Sequence, residues 1–212
     1  MKTENKIDIQ IKRSFLDFFK RRLCIDQENI SFEKKIIRCA DVKEIRYGII
    51  QMYINGIKAN RIYEIGIRGN TFKPIRISFQ SARLFVTNKK MEETYHSIVN
   101  CLWENVGLRL VNEAIEKLEN GKSFAMENIE VHSKGVSIQV RRWFGKKEIH
   151  FVEWKNLLKS ESEGSLTIYS NENKRVKLKL NFQKDWNTPV LASLLDYLWK
   201  DGRAYLLTEE KF

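Results

Sequence analysis

The chain has 212 residues, of which 42% are hydrophobic and 31% are charged, a balance typical of a soluble globular protein. Only two prolines and ten glycines are present, which argues against a disordered chain or a long flexible linker. The formal net charge of +11 favours contact with phosphates, in nucleic acid or on lipid headgroups, although a basic protein need have no anionic partner at all.

The cysteines and the N-terminus predict the compartment. The three cysteines, Cys24, Cys39 and Cys101, form no CxxC pair, and the simplest interpretation is buried free thiols in a reducing compartment. The N-terminus lacks an apolar core of signal-peptide length, and no apolar run approaches the roughly 20 residues that cross a bilayer. We therefore predict a cytoplasmic protein that meets a membrane only at its surface or through a partner.

The first part of the chain predicts a meander of strands. Apolar and polar residues alternate over residues 6–12, 61–68 and 73–79, as in strands with one buried and one solvated face. Asn55-Gly56 predicts a type I′ hairpin turn. Residues 14–22 (SFLDFFKRR) fit either a helical face or an irregular strand, and the pattern leaves both open.

The apolar spacing then changes to every third or fourth residue. Over residues 89–119 it predicts one long amphipathic helix, or two helices broken near Gly107. Strands follow again over residues 128–131, 135–143, 147–154, 166–169 and 175–182. Thr188-Pro189 then predicts the start of a closing helix, with Leu191, Leu194, Leu195 and Leu198 facing inward.

The two halves repeat one order, a meander of strands followed by one helix. Residues 77–80 (ISFQ) correspond to residues 180–183 (LNFQ), and residues 97–103 (SIVNCLW) correspond to residues 193–199 (SLLDYLW). Both pairs of strings lie in the last strand and the closing helix, which suggests duplication. We predict two domains, residues 1–120 with the long closing helix and residues 121–212.

This architecture resembles the bacterial pleckstrin-homology-like (PH-like) domains. The better match is the second half, through IEVHSKGVSIQVRRWFGKKEIHFVEW, LTIYSNENKRVKLKLNF and TPVLASLLDYLW. The first half departs from the pattern, with extra residues between Ile25 and Asn60 and a longer helix. The resemblance implies an α+β, mostly β fold of two units, each a bent antiparallel sheet or partly open barrel closed by a C-terminal helix. It implies a binding module and no particular activity.

The basic hairpin of the second half is the candidate ligand site. In many eukaryotic PH domains an early hairpin loop binds inositol phosphates through Arg and Lys, and aromatic residues at such a tip suit a membrane interface. The alternative is a solvated hairpin whose Trp143 packs inside the protein. The candidate residues for an anionic ligand are Lys134, Arg141, Arg142, Trp143, Lys146, Lys147, Lys174 and Arg175.

A third basic cluster, Lys20, Arg21 and Arg22, lies beside Phe18 and Phe19. Nucleic-acid binding there would require exposed aromatic side chains. The aromatic residues fall mostly at strand or helix core positions, so the pattern disfavours nucleic acid as a partner.

No pattern typical of catalysis or of metal binding is present. The histidines, His96, His132 and His150, are widely spaced, and no phosphate-binding loop, nucleotide fingerprint or hydrolase motif occurs. We therefore predict no enzyme activity, no cofactor and no metal.

The predicted function is a non-catalytic binding or scaffold module. Its partner would be an anionic ligand met by the basic hairpin, or an unidentified protein that pairs with an exposed sheet edge, with contact to a membrane surface left open. The long helix offers a surface for a homodimer. The alternatives are a nucleic-acid-binding protein that uses the net positive charge, and an enzyme of unrecognised type.

Overall fold

Antiparallel strands make up about half of the structure, a computed structural model that describes residues 6–14, 17–70, 73–81, 89–141, 146–162 and 164–199. Four separate antiparallel sheets and a smaller share of helix confirm the predicted mostly β, α+β class. The chain divides into two compact units, Met1–Leu110 (unit 1) and Val111–Phe212 (unit 2). The division falls ten residues before the boundary that we placed after residue 120.

Unit 1 begins with a four-stranded sheet and continues with a three-stranded sheet, each in sequential order. The first contains β1 (Ile7–Ile11), β2 (Arg21–Ile25), β3 (Asn29–Phe32) and β4 (Lys35–Arg38). The second contains β5 (Val42–Ile54), β6 (Ile57–Gly69) and β7 (Ile75–Ser81). Alternation determines which side chains face inward, as in β7, where Ile75, Ile77 and Phe79 are buried.

Two expectations for unit 1 have clear outcomes. Asn55 and Gly56, between β5 and β6, both have positive φ, 50° and 76°, as a type I′ turn requires, and this confirms that prediction. Over residues 14–22, the described part has no helix, and only its last two residues, Arg21 and Arg22, lie in a strand. Residues 17–20 form a loop without helix or strand, and β2 begins only at Arg21.

The long helix is continuous, and its irregular turn lies at the predicted break. It consists of α1 (Lys89–Leu102), a π-helical turn (Trp103–Gly107) and α2 (Leu108–Glu119). A Cβ at Gly107 would lie 2.2 Å from Cε3 of Trp103, so only glycine fits beneath the indole. Tyr95 of α1 packs against Tyr63 of β6, with ring centroids 5.2 Å apart, which fixes α1 to the second sheet of unit 1.

Unit 2 repeats this order with shorter elements. Its four-stranded sheet contains β8 (Phe124–Met126), β9 (Ile129–His132), β10 (Gly135–Arg141) and β11 (Lys147–Glu153). Its three-stranded sheet contains β12 (Leu157–Ser162), β13 (Ser165–Ser170) and β14 (Lys177–Asn181). The helix α3 (Thr188–Trp199) closes the order.

The helix α3 is the centre of the unit 2 core. The four leucines predicted to face inward are all buried, with exposed fractions of 0% or 1%. Trp199 of α3 meets Trp154, which lies in a short 3-10 turn between β11 and β12, edge to face at 5.9 Å. The Nε1–H of Trp154 donates to the carbonyl oxygen of Ser133 at 2.7 Å, so this aromatic contact also ties the β9–β10 turn to the core.

The thiols are free, as predicted, and all three lie in unit 1. Cys39 and Cys101 are buried, whereas Cys24 is half-buried. Burial, together with the nearby Asp26 carboxylate, raises the pKa of Cys39 to about 11. Burial likewise raises the pKa of Cys101.

Candidate anion-binding site

The structure places the described residues of the predicted unit 2 site at two separate ends of a hairpin. Lys134 lies in the turn between β9 and β10, whereas Lys147 pairs with Arg141 at the other end of β10. The seven residues of β10 place these two ends about 20 Å apart. Lys134, Lys146 and Lys147 are exposed.

Lys174 and Arg175 lie in the turn between β13 and β14, and both are exposed. The start of this turn is held by a hydrogen bond from the Asn171 N–H to the carbonyl oxygen of Asn156, at 2.8 Å. Asn156 closely follows the Glu153 end of β11, which pairs with Gly135 beside Lys134. The turn is therefore anchored at the end of the hairpin opposite Lys147. Arg142, Trp143 and the side chain of Arg141 lie outside the described residues.

Unit 1 contains a cationic cavity of about 360 Å³, here called the unit 1 pocket. A volume of this size is in the range that holds a small ligand. Three parts of the chain converge on it: the end of β1, the β3–β4 hairpin and the entry to β7. Its lining residues are Arg13, Phe32, Glu33, Lys35, Lys73, Pro74 and Arg76.

Charge distinguishes the unit 1 pocket. Four cationic side chains face a single carboxylate, that of Glu33. Lys35 donates from Nζ to the carbonyl oxygen of Pro74 at 2.9 Å, which joins the hairpin to the segment before β7. Lys73 and Arg76 are exposed and form no ion pair with any residue in the described ranges. The pocket therefore has an excess of positive charge available to an anion.

Glu33 holds an uncommon backbone conformation at the mouth of this pocket. Its φ is +56°, in the left-handed region that non-glycine residues seldom adopt and that costs about 1–3 kcal/mol. Two guanidinium groups hold its carboxylate, Arg21 Nε at 2.8 Å and Arg13 Nη2 at 3.6 Å. The shorter ion pair, with Arg21, thus supports the strained turn, whereas the longer contact, with Arg13, joins two exposed side chains.

Asp17 holds together the described part of the loop between β1 and β2, residues 12–14 and 17–20. Its carboxylate accepts hydrogen bonds from the backbone N–H groups of Arg13, at 3.2 Å, and Phe19, at 3.0 Å, and from Arg21 Nη1 at 2.5 Å. These bonds hold the pKa of Asp17 below its ordinary value, with the Arg21 hydrogen bond as the largest cause. The loop is thus anchored beside the unit 1 pocket, because Arg21 also pairs with Glu33.

This loop exposes two aromatic side chains. Phe18 is 91% exposed and Phe19 is 76% exposed, so the expectation that they occupy core positions is wrong. The backbone bonds to Asp17 replace the regular strand or helix in which the rings would have faced a core. Of the neighbouring cations, Arg21 and Arg22 are ion-paired, Arg22 with Asp8 at 2.6 Å, whereas Lys20 is exposed.

The linear pattern of charges gave no sign of the unit 1 pocket. Its cations lie at positions 13, 35, 73 and 76, and no two of them are adjacent. One signal was available in the repeat. The hairpin β3–β4 holds the same place in unit 1, third and fourth strands, that the predicted hairpin β10–β11 holds in unit 2.

Two further features are absent from the described residues. Within those ranges, no three His, Cys, Asp or Glu side chains are grouped so that they could hold a metal ion. No helix in the same ranges has both the length and the apolar character needed to span a bilayer. No family model matches the chain, and neither a curated protein nor a solved structure matches it.

Proposed function

We propose that the protein is a non-catalytic binding module built from two PH-like units, and that the unit 1 pocket binds a phosphate-bearing anion. The order of elements supports the PH-like assignment of each unit. Four antiparallel strands, three antiparallel strands and a helix follow one another in unit 1 and again in unit 2. In both units a short 3-10 turn joins the fourth strand to the fifth, Cys39–Asp41 and Trp154–Asn156.

The convergence of four cations on one cavity carries the proposal of an anionic ligand. Arg13 and Arg76 provide forked donors that suit phosphate oxygens, and Lys35 and Lys73 provide ammonium groups. Phe32 and Pro74 give the cavity an apolar wall, against which the uncharged part of a ligand would pack. Since Lys73 and Arg76 have no carboxylate partner in the described ranges, binding would not first require breaking an ion pair.

Binding of inositol hexakisphosphate, a soluble polyphosphate probe, to the full chain tests this proposal by titration calorimetry. We expect the double change Lys73→Glu/Arg76→Glu to weaken binding at least tenfold, because it reverses two of the four charges. The matched control is Lys174→Glu/Arg175→Glu, which makes the same change in net charge in unit 2 and should leave binding nearly unaltered.

Two results would overturn the assignment of the ligand to the unit 1 pocket. One is equal weakening by the control, which would indicate attraction by net charge alone. The other is loss of binding on Arg141→Glu/Arg142→Glu with the unit 1 double variant unaffected, which would return the site to the unit 2 hairpin.

A second candidate function is binding of single-stranded nucleic acid, favoured by the exposure of Phe18 and Phe19 beside Lys20. Stacking of a base on an aromatic ring contributes about 1–3 kcal/mol. Fluorescence anisotropy with a labelled oligonucleotide should then show weaker binding by Phe18→Ala/Phe19→Ala and a steep dependence on salt. An unchanged affinity in the double variant would exclude this candidate.

A further inference from the structure

Glu33 is the one acidic residue among the described residues that line the unit 1 pocket. It lies in the two-residue turn that joins β3 to β4, between Phe32 and Lys35, which pair across the hairpin. Its φ of +56° is a conformation for which glycine, asparagine and aspartate are the usual residues of such a turn. The turn by itself therefore gives no reason for a glutamate at this position.

The carboxylate of Glu33 is held from outside the pocket. Arg21, which is not a lining residue, places its Nε 2.8 Å from Oε1 of Glu33, and its side chain is only 17% exposed. The same guanidinium group donates from Nη1 to the carboxylate of Asp17. Arg21 thus fixes the Glu33 carboxylate at the cavity instead of leaving it free to turn towards solvent.

The contact between Glu33 and Arg13 is of a different kind. Its atoms are 3.6 Å apart, and both side chains are exposed, so it contributes little to stability. Both residues line the cavity. An anion that enters can therefore pair with Arg13 while Glu33 remains paired with Arg21, and the bound anion then lies near a carboxylate that does not move away.

We propose that Glu33 determines the selectivity of the unit 1 pocket by reducing the advantage that a highly charged anion has over one with fewer charges. This inference rests on the proposed binding of a phosphate-bearing anion in that pocket. Four cations attract the anion, and the fixed carboxylate repels it by an energy that increases with the charge that the anion carries. A densely phosphorylated ligand therefore loses more affinity to Glu33 than a ligand with one or two phosphate groups.

Glutamine at this position separates charge from structure. The change Glu33→Gln removes the negative charge but keeps a side-chain oxygen that can accept a hydrogen bond from Arg21. If Glu33 served only to support the turn, this change would leave anion binding unaltered or would weaken it. Selectivity by charge requires the opposite, a gain in affinity that is larger for the more highly charged ligand.

Titration calorimetry of the full chain with inositol hexakisphosphate and with inorganic pyrophosphate tests the inference. We expect Glu33→Gln to tighten binding of the hexakisphosphate about tenfold and that of pyrophosphate about threefold or less. The matched control is Glu172→Gln, which makes the same change in net charge at an exposed position of unit 2 and should alter neither affinity. Circular dichroism verifies the fold, and Glu33→Gly, which also relieves the backbone conformation, should shift both affinities in the same direction.

Three results would overturn the inference: no gain for Glu33→Gln and Glu33→Gly, an equal gain for both ligands, or an equal gain in the Glu172→Gln control. Failure of the anion site is a distinct result. If Lys73→Glu/Arg76→Glu abolishes binding while the Glu33 variants bind like the wild type, the anion site stands and the selectivity role is wrong. If neither the wild type nor the Glu33 variants bind either ligand, both proposals are wrong.

Discussion

Units 1 and 2 share one order of elements but differ in how many of their apolar residues are buried. In unit 2, eight of the twelve residues of α3 are buried, and the hairpin of β12 and β13 is six residues long on each side. In unit 1, α1 buries Tyr95, Ile98, Cys101 and Leu102 of its fourteen residues, and the β5–β6 hairpin exposes apolar side chains at its tip.

The difference shows which parts of unit 1 have no counterpart in unit 2. Unit 2 builds the arrangement from seven short strands and α3, together with the last nine residues of α2, which fall within its bounds. The longer β5–β6 hairpin and the helix with a π-helical turn have no counterpart among the described residues of unit 2. The strained hairpin β3–β4 does have one, β10–β11, so the proposed anion site lies on a part of the order that both units share.

The largest difference should appear when corresponding helix residues are shortened. Leu195 in α3 is 0% exposed, whereas Val99, its counterpart in the repeated string, is half-buried in α1. We expect Leu195→Ala to lower the free energy of unfolding by about 3 kcal/mol, and Val99→Ala by about 1 kcal/mol or less. Urea unfolding of the full chain measures both. Equal losses would mean that α1 and α3 contribute equally to their cores.

A smaller effect should distinguish unit 1 at alkaline pH. The pKa of Cys39 rises from 9.0 to about 11 on folding, so the unfolded chain loses this proton first as the pH increases. The stability associated with Cys39 is therefore complete below pH 9 and is lost between pH 9 and about 11, by about 2 kcal/mol.

Cys39→Ala should accordingly flatten the fall in unfolding free energy between pH 8.5 and pH 10.5. The fall should not vanish, because burial also raises the pKa of Tyr47 to about 12. Cys24→Ser removes a half-buried thiol and is the control. A Cys39→Ala slope identical to that of the wild type would show that the Cys39 thiol does not titrate in this way.

A further difference between the units concerns the π-helical turn, which α3 lacks. Gly107→Ala places a Cβ against the Trp103 ring, and we expect a loss of about 1–3 kcal/mol from this overpacking. In a Trp103→Ala background the same change should instead stabilise the helix by up to about 1 kcal/mol, since alanine favours helix over glycine. Thermal unfolding of the wild type, the two single variants and the double variant completes this double-mutant cycle. A loss of the same size in both backgrounds would exclude the ring as its cause.

Much of the fold could be predicted because its signals are local. Alternation identified the strands around Ile65 and Ile77, the Asn55-Gly56 pair identified its turn, and the spacing of leucines identified α3. The candidate site could not be predicted in the same way. Lys35 and Arg76 are 41 positions apart in the chain, and only the folding of unit 1 brings them to one cavity.

The sequence by itself determined the mostly β class, the repeated order of elements and the long helix, because periodicity and turn chemistry act between near neighbours. Tertiary structure alone decided that Phe18 and Phe19 face solvent, since hydrogen bonds to Asp17 outweigh their apolar character in placing the loop. It also decided that the described basic residues of the predicted unit 2 site divide between two ends of a hairpin, while four cations of unit 1 line one cavity. The net charge of a sequence depends only on how many charged residues it contains, whereas the attraction of an anion depends on how close those charges lie in space.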